Sequence, residues 1–156
     1  MDFQTYFDLT TLYSDYTAAV DAYDWDKWAD FFVEDCEYKV QPRENHERGF
    51  PLSTMWFISR NMLKDRAYGI RETLFHDPYY QRHVVGAPRV VSHEGGIIQA
   101  EANYAVFRTK LDGESTVFNV GRYLDRIRVG QDGMKFESRF CIYDSEMIPN
   151  SIIYPI

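Results

Sequence analysis

The chain has 156 residues, 45% of them apolar and 17% aromatic, and a formal charge of −7. A single core of ordinary size follows from that length, burying roughly 68–70% of the unfolded surface. Twelve Tyr, eleven Phe and three Trp exclude an acidic disordered chain. No apolar run approaches the ~18 residues of a membrane span, and Met1-Asp2-Phe3-Gln4 lacks the basic-then-apolar order of a secretory signal. A cytoplasmic location with no membrane contact is expected. Residues 1–37 hold ten carboxylates against Lys27 alone, whereas the remainder holds fourteen acids and sixteen bases. Such a first quarter repels phosphate backbones and speaks against nucleic acid; it reads as a solvated helix face or as a contact for a basic partner surface.

In chain order, Phe3, Tyr6, Phe7, Tyr13, Tyr16, Val20 and Tyr23 recur at helical steps and predict a helix from about Phe3 to Tyr23, with Asp2 as N-cap. Asp24 caps a second, short helix whose buried side is Trp25, Trp28, Phe31 and Phe32, and Cys36 to Val40 alternates like a strand. Gln41 to Leu52, with two Pro and one Gly, reads as an exposed loop. Ser53 is an N-cap candidate for a third helix to about Leu74, with a possible break at Gly69, and Asp77-Pro78 is a stop signal. Beyond Pro78 the period becomes two. Ile98, Ala100, Ala102, Tyr104 and Val106 share one side of a strand, and Phe136, Phe140 and Ile142 oppose Glu137 and Arg139. Turn signals at Gly95-Gly96, Asp112-Gly113 and Asp132-Gly133 leave room for strands of about fifteen residues, far beyond the usual five or six. Strands this long twist and coil. The expectation is an α+β cone, with N-terminal helices packed on a strongly curved, long-stranded antiparallel sheet.

Chemistry-bearing motifs are sparse. Cys36 and Cys141 belong to no paired motif and read as buried thiols. A Rieske cluster needs two Cys and two His, and no Cys here has a His at ligand spacing. His46, His76, His83 and His93 form neither H-E-x-x-H nor a visible two-His-plus-carboxylate set, and no glycine pattern marks a nucleotide loop. No catalytic, cofactor-binding or metal-binding residue is therefore assigned. A rival reading is a stand-alone cone-fold lyase or isomerase, of the scytalone dehydratase or ketosteroid isomerase kind, using His and Asp in the cone mouth. Its candidates are His76, Asp77, His83 and the tyrosines, with His76-Asp77 the best local pair. A metal-free cone that binds an aromatic ligand is a third reading.

Three segments resemble a known family. Asp24 to Tyr38 is similar to the helix-to-strand junction of cone-shaped NTF2-like proteins. Met62-Leu63-Lys64-Asp65-Arg66 with Asp77-Pro78 and the strand around Val84 to Val91, and Gly121-Arg122-Tyr123-Leu124-Asp125-Arg126-Ile127 leading into Lys135 to Asp144, resemble the small (beta) subunit of bacterial aromatic-ring-hydroxylating dioxygenases. The compact salicylate 5-hydroxylase and anthranilate dioxygenase types look most similar. The resemblance implies one NTF2-like domain over residues 1–156, in an oxidoreductase subunit that is inactive alone. It also implies a large (alpha) subunit carrying a Rieske 2Fe–2S cluster and a mononuclear non-haem Fe(II), and a hexamer of three large and three small subunits around a small-subunit trimer. Electrons would come from NAD(P)H through a reductase and a ferredoxin, for hydroxylation of a small aromatic acid in aromatic-compound catabolism. Arg outnumbers Lys twelve to five, which suits interface use. The expected interface residues are Arg122, Asp125 and Arg126, as an ion-pair network between protomers or within the cone, and Ile153 and Tyr154. The apolar tail from Asn150 to Ile156 would seal its own core or lie against another subunit.

Overall fold

The computed structural model describes residues 1–145, 147 and 151–156. Helix α1 spans Phe3–Asp21, with the Asp2 carboxylate accepting from the Thr5 N–H. Its interior face is Leu9, Leu12, Tyr13, Tyr16, Ala19 and Val20. The expected aromatic stripe therefore starts too early. Phe3 is 82% exposed, and it stacks on exposed Phe7 outside the core. Tyr23 turns the chain at a φ of 60°, a conformation L-residues rarely adopt. Its hydroxyl donates to the Tyr79 carbonyl at 2.7 Å and fixes the corner. Helix α2, Trp25–Asp30, follows, capped by Asp24 and burying Trp25 and Trp28.

Strand β1 is Phe32–Pro42. The expected loop after it contains a five-residue helix, α3 (Arg43–Glu47), and the expected helix from Ser53 is two elements. Met55–Phe57 forms strand β2, antiparallel to β1, and α4 starts only at Arg60 and runs to Glu72. Met55, Trp56 and Phe57 alternate inward and outward, so period two prevails there. The effective cap is Ser59, whose hydroxyl accepts from the Met62 N–H. Gly69 does not break α4; its carbonyl accepts the Thr73 and Leu74 N–H groups at the helix end. The strand expected around Val84 to Val91 is two strands, β3 (Tyr79–Val85) and β4 (Arg89–Glu94), both paired with β5 on either side of Gly86-Ala87-Pro88.

Strands β5 (Ile97–Lys110) and β6 (Thr116–Gly130), of 14 and 15 residues, have the expected length, β7 (Gly133–Tyr143) has 11, and the sheet order is β2-β1-β7-β6-β5-β3 with β4 beside β5. One pairing, β1 with β7, is parallel and departs from the wholly antiparallel expectation. The concave side holds Ile98, Ala102, Tyr104, Tyr123, Ile127 and Phe136 against Tyr13 and Tyr16 of α1. A bulge in the β6–β7 register lies between Phe136 and Ser138. It reverses the strand's alternation, so Arg139 and Cys141 face inward with Phe136, correcting the grouping of Phe136, Phe140 and Ile142 against Arg139.

Candidate functional site

The centre of the cone holds a charge. Arg139 is fully buried and makes a bidentate pair with Asp125, Nε to Oδ1 at 3.0 Å and Nη2 to Oδ2 at 2.7 Å. Cross-strand register places the two opposite each other, β6 against β7. The rings of Tyr13, Tyr16, Tyr123 and Phe136 surround the guanidinium at 4.0–4.8 Å, an arrangement that replaces hydration with ring quadrupoles. Tyr13 also donates its hydroxyl to Asp125. Burial works against the Arg139 charge, but the Asp125 carboxylate outweighs it and holds the guanidinium above its ordinary pKa. Burial, then the Asp125 charge, pushes the Tyr13 phenol up.

The mouth is closed by the chain's own tail. Ile152, Tyr154 and Ile156 are buried. Arg66 of α4 donates to the Ile152 and Ile153 carbonyls at 3.4 and 2.7 Å, and Gln81 donates to the Pro155 carbonyl at 3.3 Å. The Ile156 carbonyl accepts from Tyr16 and Tyr38 at 2.8 and 3.0 Å, while the Ile156 N–H donates to the Tyr38 hydroxyl. The Tyr154 ring packs on Tyr79 and Trp25 at 4.6 and 5.2 Å, and its hydroxyl bonds His76 Nε2 at 2.8 Å. Asn150 lies outside the described residues. Cys141 sits beneath this seal with Sγ 3.4 Å from the Ile156 carbonyl, its thiol pushed up to about 12 by burial.

The expected interface residues thus divide. Asp125 and Tyr154 face their own cone, and Ile153 is partly buried against the core. Arg126 is exposed on the outer face, where its Nε and that of Arg128 grip the two oxygens of Glu137 at 2.6 and 2.7 Å. Arg122 is half-buried, and its Nε finds no partner among the described residues. Neighbours on a strand point to opposite faces, so Arg122 and Arg126 share a face that Asp125 does not. Around Arg126 the outer surface has a shallow hollow of about 320 Å³ lined by His46, Val91, Leu124 and Phe140. Beside it Lys39 lies over the Trp56 and Phe140 rings at 4.3 and 4.7 Å.

Of the residues singled out for acid–base chemistry, His76 and Asp77 diverge. His76 bonds Tyr154, and Asp77 bonds Lys110 at 2.6 Å. His83 instead meets Asp21, which in the sequence is one of ten carboxylates on a first quarter that reads as a solvated face. Its position, eleven residues after Thr10 in a stripe with Tyr13, Ser14 and Thr17 on α1, was the available signal. The described residues gather no group of three or more His, Cys, Asp or Glu able to hold a metal ion, and none of their helices is long and apolar enough to cross a membrane.

Comparison with known proteins agrees with this architecture. The family profile described as ring hydroxylating beta subunit matches residues 17–150. The small subunit of anthranilate 1,2-dioxygenase from Burkholderia cepacia is 30% identical over 155 residues, covering 99% of this chain and 96% of its own length. A crystal structure of the beta subunit assigned to an aromatic-ring-hydroxylating dioxygenase of Novosphingobium aromaticivorans superposes with a TM-score of 0.86 at 34% identity, covering 95% and 94% of the two chains. A protein from the same organism assigned as a scytalone dehydratase has a TM-score of 0.66 at 17% identity, covering 92% and 87%, and shares the cone fold. An aromatic-lined cone with its centre filled and its mouth sealed, matched along almost its full length, belongs to the family of ring-hydroxylating dioxygenase beta subunits.

Proposed function

We propose that the chain is the non-catalytic small subunit of the terminal oxygenase in a Rieske non-haem iron system. It assembles and positions large subunits that hydroxylate a small aromatic acid such as salicylate. Three small subunits form the platform for three large ones, and NAD(P)H-derived electrons reach the large subunits through a reductase and a ferredoxin. The work of this chain, one domain over residues 1–156, is to hold each metal-bearing neighbour in register with the next. The observation that carries this reading is the filled cone. The volume where a cone enzyme would seat a substrate holds Arg139 in its ring of aromatics, and the tail covers the entrance. What remains for contact is outer surface. Trp56, Val91 and Leu52 are exposed there together with Arg126, the aromatic and Arg composition of an interface core. An aromatic acid substrate and a large-subunit partner are supported by the likeness to the anthranilate dioxygenase small subunit.

The test is purification of the tagged chain from its native host, with iron content, visible absorbance and native mass measured on what is recovered. A complex of three small and three large subunits with a Rieske spectrum is expected, and Arg126→Glu should lower its yield severalfold while the isolated chain keeps its circular dichroism. A chain recovered alone, or hydroxylase turnover by the chain without a partner, would overturn the reading.

A further inference from the structure

Two surfaces of this chain lie uncovered, and their chemistries are opposite. The first is the outward side of α1. Phe3 and Phe7 are 82% and 53% exposed and stack on each other with ring centroids 6.3 Å apart. Asp8 and Asp15 are exposed on the same side of the helix, seven residues and so two turns apart, about 10.5 Å along the axis. The helix contains no Lys or Arg. Asp8 accepts from Gln4 at 2.7 Å, and neither aspartate has a cationic partner among the described residues. An exposed aromatic pair edged by charge is the composition of a contact patch.

The second is the convex face of the sheet, at the hollow lined by Val91, Leu124 and Phe140. The glutamates around it are already engaged. Glu101 is held by Arg89 at 2.7 Å, Glu37 lies 3.5 Å from Lys39, and Glu137 takes both Arg126 and Arg128. That leaves Arg122, whose half-buried side chain has no hydrogen-bond or ion-pair partner among the described residues. The excess positive charge reaches the hollow itself. His46 is one of its walls, and burial, then the charges of Arg122 and Lys39, hold that ring below its ordinary pKa. Arg122 and Arg126 stand four residues apart on one face of β6, about 13 Å along the strand. Two long guanidinium side chains easily close the difference between that spacing and the spacing of Asp8 and Asp15.

We infer that a second copy of this chain covers the hollow: α1 of one copy lies on the convex face of the next, with Phe3 and Phe7 against Leu124 and Phe140 and the carboxylates of Asp8 and Asp15 beside Arg122 and Arg126. Two different patches meet, so the contact is head-to-tail and closes as a ring. The acidic first quarter thereby finds its basic partner surface on another copy of the same chain. The inference rests on the small-subunit platform proposed above and assigns the surfaces that build it.

The test is sedimentation velocity of the full chain over a dilution series, alone and with its large subunit. The wild-type small chain should be trimeric in both. Arg122→Glu sets like charges together and should weaken the trimer about tenfold or more, with circular dichroism unchanged. Phe3→Ser with Phe7→Ser should also weaken it, since both rings stand outside the core. Adding Asp8→Lys or Asp15→Lys to Arg122→Glu should restore assembly, which a merely damaged fold would not do. A trimer indifferent to Arg122→Glu or to the paired Phe changes, or rescue by neither lysine, would overturn this contact and leave the platform reading standing. Loss of the large subunit while the small trimer persists would put the large subunit on this face and overturn the contact too. A wild-type chain that is monomeric alone would overturn the contact, and one that is also single beside its large subunit would overturn the platform reading with it.

Discussion

Removing the Arg139 charge is the sharpest perturbation the fold offers. In Arg139→Met the aliphatic side chain still fills much of the space between Tyr16 and Phe136, but among the described residues Asp125 keeps only the Tyr13 hydroxyl as partner. Breaking one side of a buried pair costs about 3–5 kcal/mol, and a desolvated cation–π enclosure contributes about 2 kcal/mol or more. A loss of about 5 kcal/mol is expected. That is about a third or more of the stability of a typical domain, and at roughly 2–4 °C per kcal/mol it lowers Tm by roughly 10–20 °C. The double variant Asp125→Leu with Arg139→Met removes both charges and should recover to within about 2 kcal/mol of wild type, because an apolar pair needs no desolvation. Arg139→Lys, which keeps the charge but loses the flat bidentate fork, should fall between them. Urea unfolding followed by tryptophan fluorescence measures all three. A single variant that loses under about 1 kcal/mol, or a double no more stable than the single, would refute the reasoning.

Three further outcomes follow from the packing. Arg66→Ala frees the Ile152 and Ile153 carbonyls; a loss of about 1–3 kcal/mol and much faster proteolysis within residues 151–156 are expected, and an unchanged cleavage rate would mean the tail is held by its side chains alone. Burial pushes Tyr79 and Cys141 up to about 12 from ordinary values of 10.0 and 9.0, so the folded state retains protons that the unfolded state gives up. Their stabilisation is complete below about pH 9 and is lost as pH rises towards 12, so tyrosinate absorbance should grow together with unfolding. Buried phenols that ionise near pH 10 with circular dichroism intact would contradict this. A Cβ at Gly121 would collide with the Ile142 carbonyl on the neighbouring strand, so Gly121→Ala should cost about 3 kcal/mol or more, read as a large fall in the urea midpoint; an unaffected midpoint would mean that β6 and β7 can separate there without cost.

The elements that the sequence made legible are those whose signals are local. Asp2 and Asp24 cap where expected, and the three glycine turns bound the long strands where expected. The failures were non-local. Ser53 looks as good a cap as Ser59, and only the pairing of Met55–Phe57 with Tyr38–Val40 chooses between them. The bulge beside Glu137 inverts the faces of β7 and cannot be read from its alternation, which puts Arg139 outside and leaves its pairing with Asp125 invisible. The polar stripe on α1 reads as solvated until β3 supplies His83. Composition spoke for a contact-rich chain, but which aromatics face outward depends on where the sheet ends.

The parallel pairing of β1 with β7 has a kinetic consequence. Phe32 finds Phe136, and Pro42 finds Tyr143, so the strand that leaves the helical layer must wait, during synthesis, for β7, the last strand of the sheet in chain order, to emerge. Loop closure across that span precedes any reward from it. Until then Phe32 and Tyr38 lack the β7 surface they rest on. The nascent chain is therefore expected to remain sticky and dependent on holding factors until β7 is out, and then to fold in one late step.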